Sequence, residues 1–373
     1  MATMADDPHY DDSEGEEEAD GDKPDLVADV GGIQKKAATR RSGETQLQLG
    51  SQRPRSQIKI WRASLLRWLV APTIILCFHG YFGISRNPIL DPSIAPKLLF
   101  DHSRYQYHPP EPRNWSSESV GIGPDPECGR GPYFDQYFQK RGQRSVNNED
   151  KTIYDKLFLH TYSQQDPQKR HTYIELGAFD GLTESNTRFF DICLNWDGIL
   201  IEGNPAKFPS LLKNRPHAHR LNFAPGCSTN STNETIPFHA VVFTNGGLAG
   251  FAKDYPEGYN IVQVPCGSLT PVLQELAPNG IDFFSLDVEG SEPLIVGNIE
   301  FGKVYIHVLM IESWNNHCPR EPNKCETRIK TREIMQKAGY HRFSNIIQKS
   351  DLYVHPESPY LTLLPSDQYQ MHA

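Results

Sequence analysis

The stretch "HTYIELGAFDGLTESN", residues 171–186, decides how this chain is read. Tyr173 to Leu176 has strand composition interrupted by one acid, Glu175. Gly177 and Gly181 follow, and then a polar run that can open a helix. Glycines at these positions let the backbone turn tightly and bring its amides against a ligand. The spacing matches neither the G-x-G-x-x-G dinucleotide fingerprint nor the phosphate loop with its Gly-Lys-Ser/Thr ending. Glu175 and Asp180 flank the turn, where they would repel a pyrophosphate and tolerate a cation.

Working outward, apolar runs and amphipathic stretches alternate as in an α/β sheet. Before the first core strand, "TYIELGA", stand two helical stretches, "YFDQYFQK" and "EDKTIYDKLFLHTY". After it "TESNTRFFDICLNW" reads as a helix, with Phe189, Ile192, Cys193 and Trp196 on one face. The strands "DGILIEG", "HRLNFAP", "IDFFSLDV" and "VYIHVLMIES" follow, with strand-like alternation also in "TIPFHAVVF" and "DLYVHP". "FPSLLKNR", "SLTPVLQELAP" and "KTREIMQKAGY" read as helices between them. The order is that of a doubly wound fold, whose ligands lie at the C-terminal ends of the strands. At the tip of the second strand Glu202, with Asn204 two residues on, can accept hydrogen bonds from the ribose hydroxyls of an adenosine. An adenosine carrying a positive charge and no phosphate describes S-adenosylmethionine. The expected cofactor-binding set is therefore Glu175, Gly177, Asp180, Gly181, Glu202 and Asn204.

Three stretches carry a resemblance to the FkbM-type methyltransferases: "YIELGAFDGLTESNTRFF", "NWDGILIEGNP" and "IDFFSLDVEGSEPLIV". The third is the most diagnostic, through Asp287-Val288-Glu289-Gly290-Ser291-Glu292. The resemblance spans roughly Phe134 to His355. It implies a Rossmann-like, seven-stranded methyltransferase sheet with helices on both faces, and O-methylation, often of sugars. Two positions depart from the pattern: Gly203 stands where a proline often follows the ribose-binding acid, and Thr270 where an acid is common. The chain also resembles single-span animal membrane proteins of the Star type, which act in trafficking.

Methyl transfer to a hydroxyl requires in-line geometry and a base for the alcohol proton. Asp287 and Glu289 are the base candidates, with Glu292 beside them as a third catalytic candidate. Three carboxylates so placed could hold a divalent ion, although none is indicated. Glu312, Asn315, Asn316 and His317 could line the acceptor side, and the spacing around Cys318 gives no zinc site.

The remainder of the chain bears on location. Residues 1–67 form a disordered tail, acidic from Asp6 to Asp29 and then basic through Arg62. Residues 68–84, "WLVAPTIILCFHGYFGI", contain no charged side chain and reach roughly 25 Å as a helix at about 1.5 Å per residue. This is the expected membrane anchor, and the basic flank before it places the tail in the cytoplasm. Residues 85–132 read as a lumenal stem and 133–373 as the catalytic domain. Six cysteines and three glycosylation acceptors, at Asn114, Asn230 and Asn233, follow the anchor. Cys318 with Cys325 is the first disulfide expected.

The net charge of −9 argues against a nucleic-acid partner. The expectation is a type II membrane O-methyltransferase of the Golgi or endoplasmic reticulum, acting on a glycan or other hydroxyl-bearing acceptor. The alternative is a non-catalytic Star-like protein with trafficking partners on its cytoplasmic tail.

Overall fold

The computed structural model describes residues 98–113, 126–140, 144–162, 170–251, 258–313, 325–366 and 369–370. The strands are β1 (Thr172–Leu176), β2 (Asp197–Ile201), β3 (His219–Leu221), β4 (Thr235–His239), β5 (Ile261–Pro265), β6 (Ile281–Leu286), β7 (Ile306–Glu312), β8 (His341–Ile347), β9 (Ser350–Val354) and β10 (Tyr369–Gln370). The main sheet runs β10-β8-β9-β7-β6-β1-β2-β3. Its central pairings, from β3 through β2, β1 and β6 to β7, are all parallel, whereas β9 pairs antiparallel with both β7 and β8. Apart from the two-residue edge strand β10, this is a mostly parallel seven-stranded sheet.

Alternation along the strands sends side chains to two cores. Tyr173, Leu200 and Phe283 pack on one face, with Phe134, Ile153, Leu157, Phe189 and Leu211. Ile174, Ile199 and Phe284 pack on the other, with Leu269, Val272, Ile295 and Met335. Every residue of β6 is buried, as a central parallel strand covered on both faces requires. The helices are α1 (Asp135–Phe138), α2 (Glu149–Ile153), α3 (Leu159–Tyr162), α4 (Arg188–Ile192), α5 (Phe208–Asn214), α6 (Leu269–Leu276), α7 (Glu292–Gly297) and α8 (Glu326–Lys337). One π-helical turn, Tyr154–Phe158, joins α2 to α3.

The expected elements are present with four differences. The helix read over 183–196 shortens to the five residues of α4. The donors of Ser185, Asn186 and Thr187 are instead taken by Glu175, and such side-chain bonds compete with the helix ladder. β4 leaves the main sheet and forms a two-stranded antiparallel sheet with β5, a stretch given no element in the sequence reading. β8, "HRFSNII", was not read as a strand; its polar Ser344 and Asn345 break the apolar pattern, and a register irregularity against β9 falls over the same residues.

The fourth difference is the stem. Residues 98–113 and 126–132 belong to the folded unit, which starts before Tyr133. Tyr105 is buried and stacks on Phe223 with ring centroids 4.1 Å apart. His108 pairs antiparallel with Arg220, covering the free edge of β3. Disulfides join Cys128 to Cys193 and Cys227 to Cys266. Cys325 is disulfide-bonded as well, while Cys318, its expected partner, lies outside the described residues. The tail, the 68–84 anchor and Asn114 also lie outside them. Among the described residues no helix is long and apolar enough to cross a membrane.

Candidate functional site

From β1 the chain winds outward through β2 to β3 and later returns to place β6 on the other side of β1. The switch point therefore lies between the C-terminal ends of β1 and β6, the position at which open α/β sheets bind ligands. The strand ends there are in register: Leu176 pairs with Ile201 and Leu286, and Leu286 with Ile311. The next residue on each strand consequently forms one row across the sheet, in the order Glu202, Gly177, Asp287, Glu312. A cavity of about 300 Å³ opens over this row.

Glu202 is buried, and its two oxygens each receive one backbone N–H, from Phe179 at 2.6 Å and from Asn204 at 2.6 Å. Each ionised oxygen keeps acceptor capacity toward the cavity. Burial pushes the Glu202 carboxyl up to about 7, against the pull of those N–H groups. Asn204 is a supporting residue: its side chain donates to the Val241 carbonyl and accepts from the Ala206 amide. Gly177 adopts φ 88° and allows β1 and β6 to meet. Gly203 lies under the Phe238 ring, where a Cβ would come within 2.6 Å of ring carbon Cε2, so this departure from the family pattern makes room for β4.

The other expected cofactor ligands serve the loop after β1. Glu175 lines the cavity, yet its carboxylate accepts from Ser185 Oγ, the Asn186 amide and Thr187 Oγ1, each at 2.7 Å. Asp180 accepts from the Leu182 and Thr183 amides and the Thr183 hydroxyl, and it lies outside the cavity lining. Gly181 also lies outside the lining, and at φ 74° it packs against Leu211 and Arg215. Partners ten to twelve residues further along the chain occupy Glu175, and partners two and three residues on occupy Asp180.

On the opposite side of the row, Asp287, Glu292 and Glu312 each present an oxygen within 4.8 Å of the others. Asp287 and Glu312 line the cavity and share a hydrogen bond. Burial raises both carboxyls, and neighbouring Asp287 helps push Glu312 up to about 10, so Glu312 holds a proton at neutral pH. Glu289, at φ 55°, lines the cavity beside them. Glu292 sits behind the wall, where its Oε1 accepts from the Val288 and Gly290 amides and holds the turn that carries Asp287 and Glu289. It is a positioning residue for that turn. Burial lifts its carboxyl to about 7.

Thr270, the second departure, accepts the Glu300 amide far from the cavity. His239 is buried, with its Nδ1 2.6 Å from the Tyr259 carbonyl oxygen. Asn315, Asn316 and His317 lie outside the described residues. Sequence reading gave Glu312 a lesser place than the site does, because only strand pairing sets it beside Asp287.

The sheet order, the switch-point cavity and the acid at the tip of the second strand together define an α/β methyltransferase-like fold. Residues 175–342 match the family model described as Methyltransferase FkbM domain. Similar solved structures include the methyltransferase FkbM from Methylobacillus flagellatus KT, at 14% identity over 58% of this chain and 58% of that one, with a TM-score of 0.28. Fibrillarin from Aeropyrum pernix, solved with natively bound S-adenosyl-L-methionine, is 14% identical over 55% of this chain and 75% of that one, with a TM-score of 0.27. Precorrin-6y C5,15-methyltransferase from Geobacter metallireducens GS-15 is 13% identical over 56% and 85%, with a TM-score of 0.28. No curated protein matches the sequence.

Proposed function

We propose that this protein is an S-adenosylmethionine-dependent O-methyltransferase that acts on a hydroxyl of a glycan or related acceptor in the lumen of the Golgi or endoplasmic reticulum. The observation that carries the reading is Glu202, a buried acid at a strand tip with both oxygens held by backbone amides and turned to a switch-point cavity. The charge of the cavity fits a cationic nucleoside. Its described lining includes Glu149, Glu175, Glu184, Glu202, Asp287, Glu289 and Glu312 against one basic residue, Lys349. A ligand bearing phosphates would meet repulsion there.

When bound, the cofactor supplies a methyl group on a sulfonium. Glu202 would hold the ribose hydroxyls, and Gly177, which has no side chain, leaves the floor of the cavity open. On the acceptor side Asp287 is poised to take the hydroxyl proton. Burial makes it a stronger base than an exposed aspartate, and protonated Glu312 donates to it and fixes its orientation. Two disulfides and the exposure of Asn230 and Asn233 support a lumenal setting.

The test is calorimetric titration of S-adenosylmethionine into the full-length protein in detergent, with Glu202→Ala alongside. Tenfold weaker binding by the variant, about 1.4 kcal/mol, is the expected result. Absence of binding by folded wild-type protein would overturn the enzyme reading and leave the Star-like scaffold.

A further inference from the structure

We infer that Asp287, Glu292 and Glu312 form a binding site for one divalent cation with oxygen ligands. The three carboxylates come from separate elements: the end of β6, the first turn of α7 and the end of β7. Their oxygens lie within 4.8 Å of one another. Oxygens on opposite sides of a calcium ion, at roughly 2.3–2.6 Å each, are about 4.6–5.2 Å apart, so ordinary carboxylate rotation closes the site.

A second observation points the same way. Ser291, between Glu292 and the turn bearing Asp287, is 1% exposed and lines the same cavity, and its Oγ has no hydrogen-bond partner. Buried hydroxyls are nearly always paired, and a cation or its bound water would satisfy this one. The donor set also selects the ion. Among the described lining residues there is no histidine or cysteine, which disfavours zinc and copper and leaves the hard cations magnesium, calcium and manganese. A cation here would displace the proton that Glu312 shares with Asp287, and it would bind the acceptor hydroxyl directly and acidify it. This goes beyond the proposed reaction, since occupancy by a metal does not depend on S-adenosylmethionine.

The probe is Mn²⁺, followed by electron paramagnetic resonance on the full-length protein after chelator treatment. Wild type is expected to bind one Mn²⁺ at least tenfold more tightly than Glu312→Gln does, with Mg²⁺ and Ca²⁺ in separate competition arms to rank the natural ion. Glu300→Gln neutralises an exposed acid outside the cavity and controls for net charge and for ions gathered by the acidic tail. Should Glu312→Gln fail to fold by circular dichroism, Ser291→Ala reads the same site, with several-fold weaker binding expected. Equal Mn²⁺ binding by wild type and the folded variants overturns the proposal and leaves the cluster held together by protons alone. The same preparations bind or fail to bind S-adenosylmethionine in a separate titration, so loss of the metal reading and loss of the enzyme reading are distinguishable.

Discussion

A Cβ placed on Gly177 would lie 1.9 Å from the carbonyl oxygen of Asp287. The two strands that flank the switch point thus approach through a position with no room for a side chain. The Asp287 amide donates to the Leu176 carbonyl at 3.1 Å, which closes the last rung of the ladder immediately before this contact.

Gly177→Ala is therefore expected to fail twice, by collision with backbone and by forcing alanine to φ 88°. The backbone penalty alone is about 1–2 kcal/mol, and parting β1 from β6 adds to it. Denaturant unfolding should show a loss of more than ~2 kcal/mol, and calorimetry should show no S-adenosylmethionine binding by the fraction that folds. A stable variant that binds normally would remove Gly177 from the site.

Glu202 gives binding a definite pH dependence. Its folded pKa, pushed up to about 7 by burial, is above the ordinary glutamate value of 4.5. Its contribution to stability is thus full below about 4.5 and is lost as pH rises through 7, where the fold must hold a buried carboxylate. Cofactor binding runs the other way, because the ionised oxygens accept from the ribose and attract the sulfonium. Affinity should rise between pH 6 and 8, by up to about tenfold per unit below the pKa. Glu202→Gln should flatten that rise. A wild-type profile that is flat or falls over the range would contradict the assignment.

How far the sequence reveals this site depends on whether a residue acts through its place on a strand or through a distant partner. Gly177, Glu202 and Asp287 each follow directly on an apolar run, so strand ends alone located them. Glu312 also ends such a run, but its closeness to Asp287 exists only through the β6–β7 register. Glu175 and Asp180 look like ligands beside a glycine turn because nothing local shows that Ser185, Asn186, Thr187 and Thr183 will occupy them. The stem was misread for a related reason: a proline- and tyrosine-rich segment has spacer composition, and only the Tyr105–Phe223 stack and the Cys128–Cys193 bridge reveal that it is packed.

That bridge yields a third prediction. Cys128 and Cys193 are 65 residues apart in sequence, and both are buried in the core with Phe134, Tyr137 and Phe189. A closed loop of this size restricts the unfolded chain by about 4 kcal/mol in the chain-entropy model. The Cys128→Ala, Cys193→Ala double variant should lose stability on that order in chemical denaturation. Mass spectrometry of a non-reduced digest of the wild type should recover the Cys128–Cys193 and Cys227–Cys266 linked peptides. Free thiols at all four positions would argue against both the pairing and the lumenal setting.

The last prediction concerns Arg215, whose side chain is fully buried behind the loop after β1. Its Nε donates to Asp191 at 2.5 Å, Nη1 to Ser185 Oγ and the Gly181 carbonyl, and Nη2 to the Tyr173 hydroxyl and Thr187 Oγ1. It also lies 3.8 Å from Glu175, for which it is the main charge that offsets burial. Removing it leaves Glu175 and Asp191 as buried acids with less compensation, a change that typically costs about 3–5 kcal/mol. Asp191 retains Arg113, so the greater burden falls on Glu175 and on the loop it holds. Arg215→Met should therefore destabilise the domain at pH 7 and lose less at pH 5, where Glu175 can take up a proton. Arg215→Lys should not restore stability, since one ammonium cannot replace five donors arranged in a plane. Urea unfolding of both variants at the two pH values is the measurement. Equal losses at pH 5 and 7 would show that Arg215 acts by packing alone and that Glu175 does not depend on its charge.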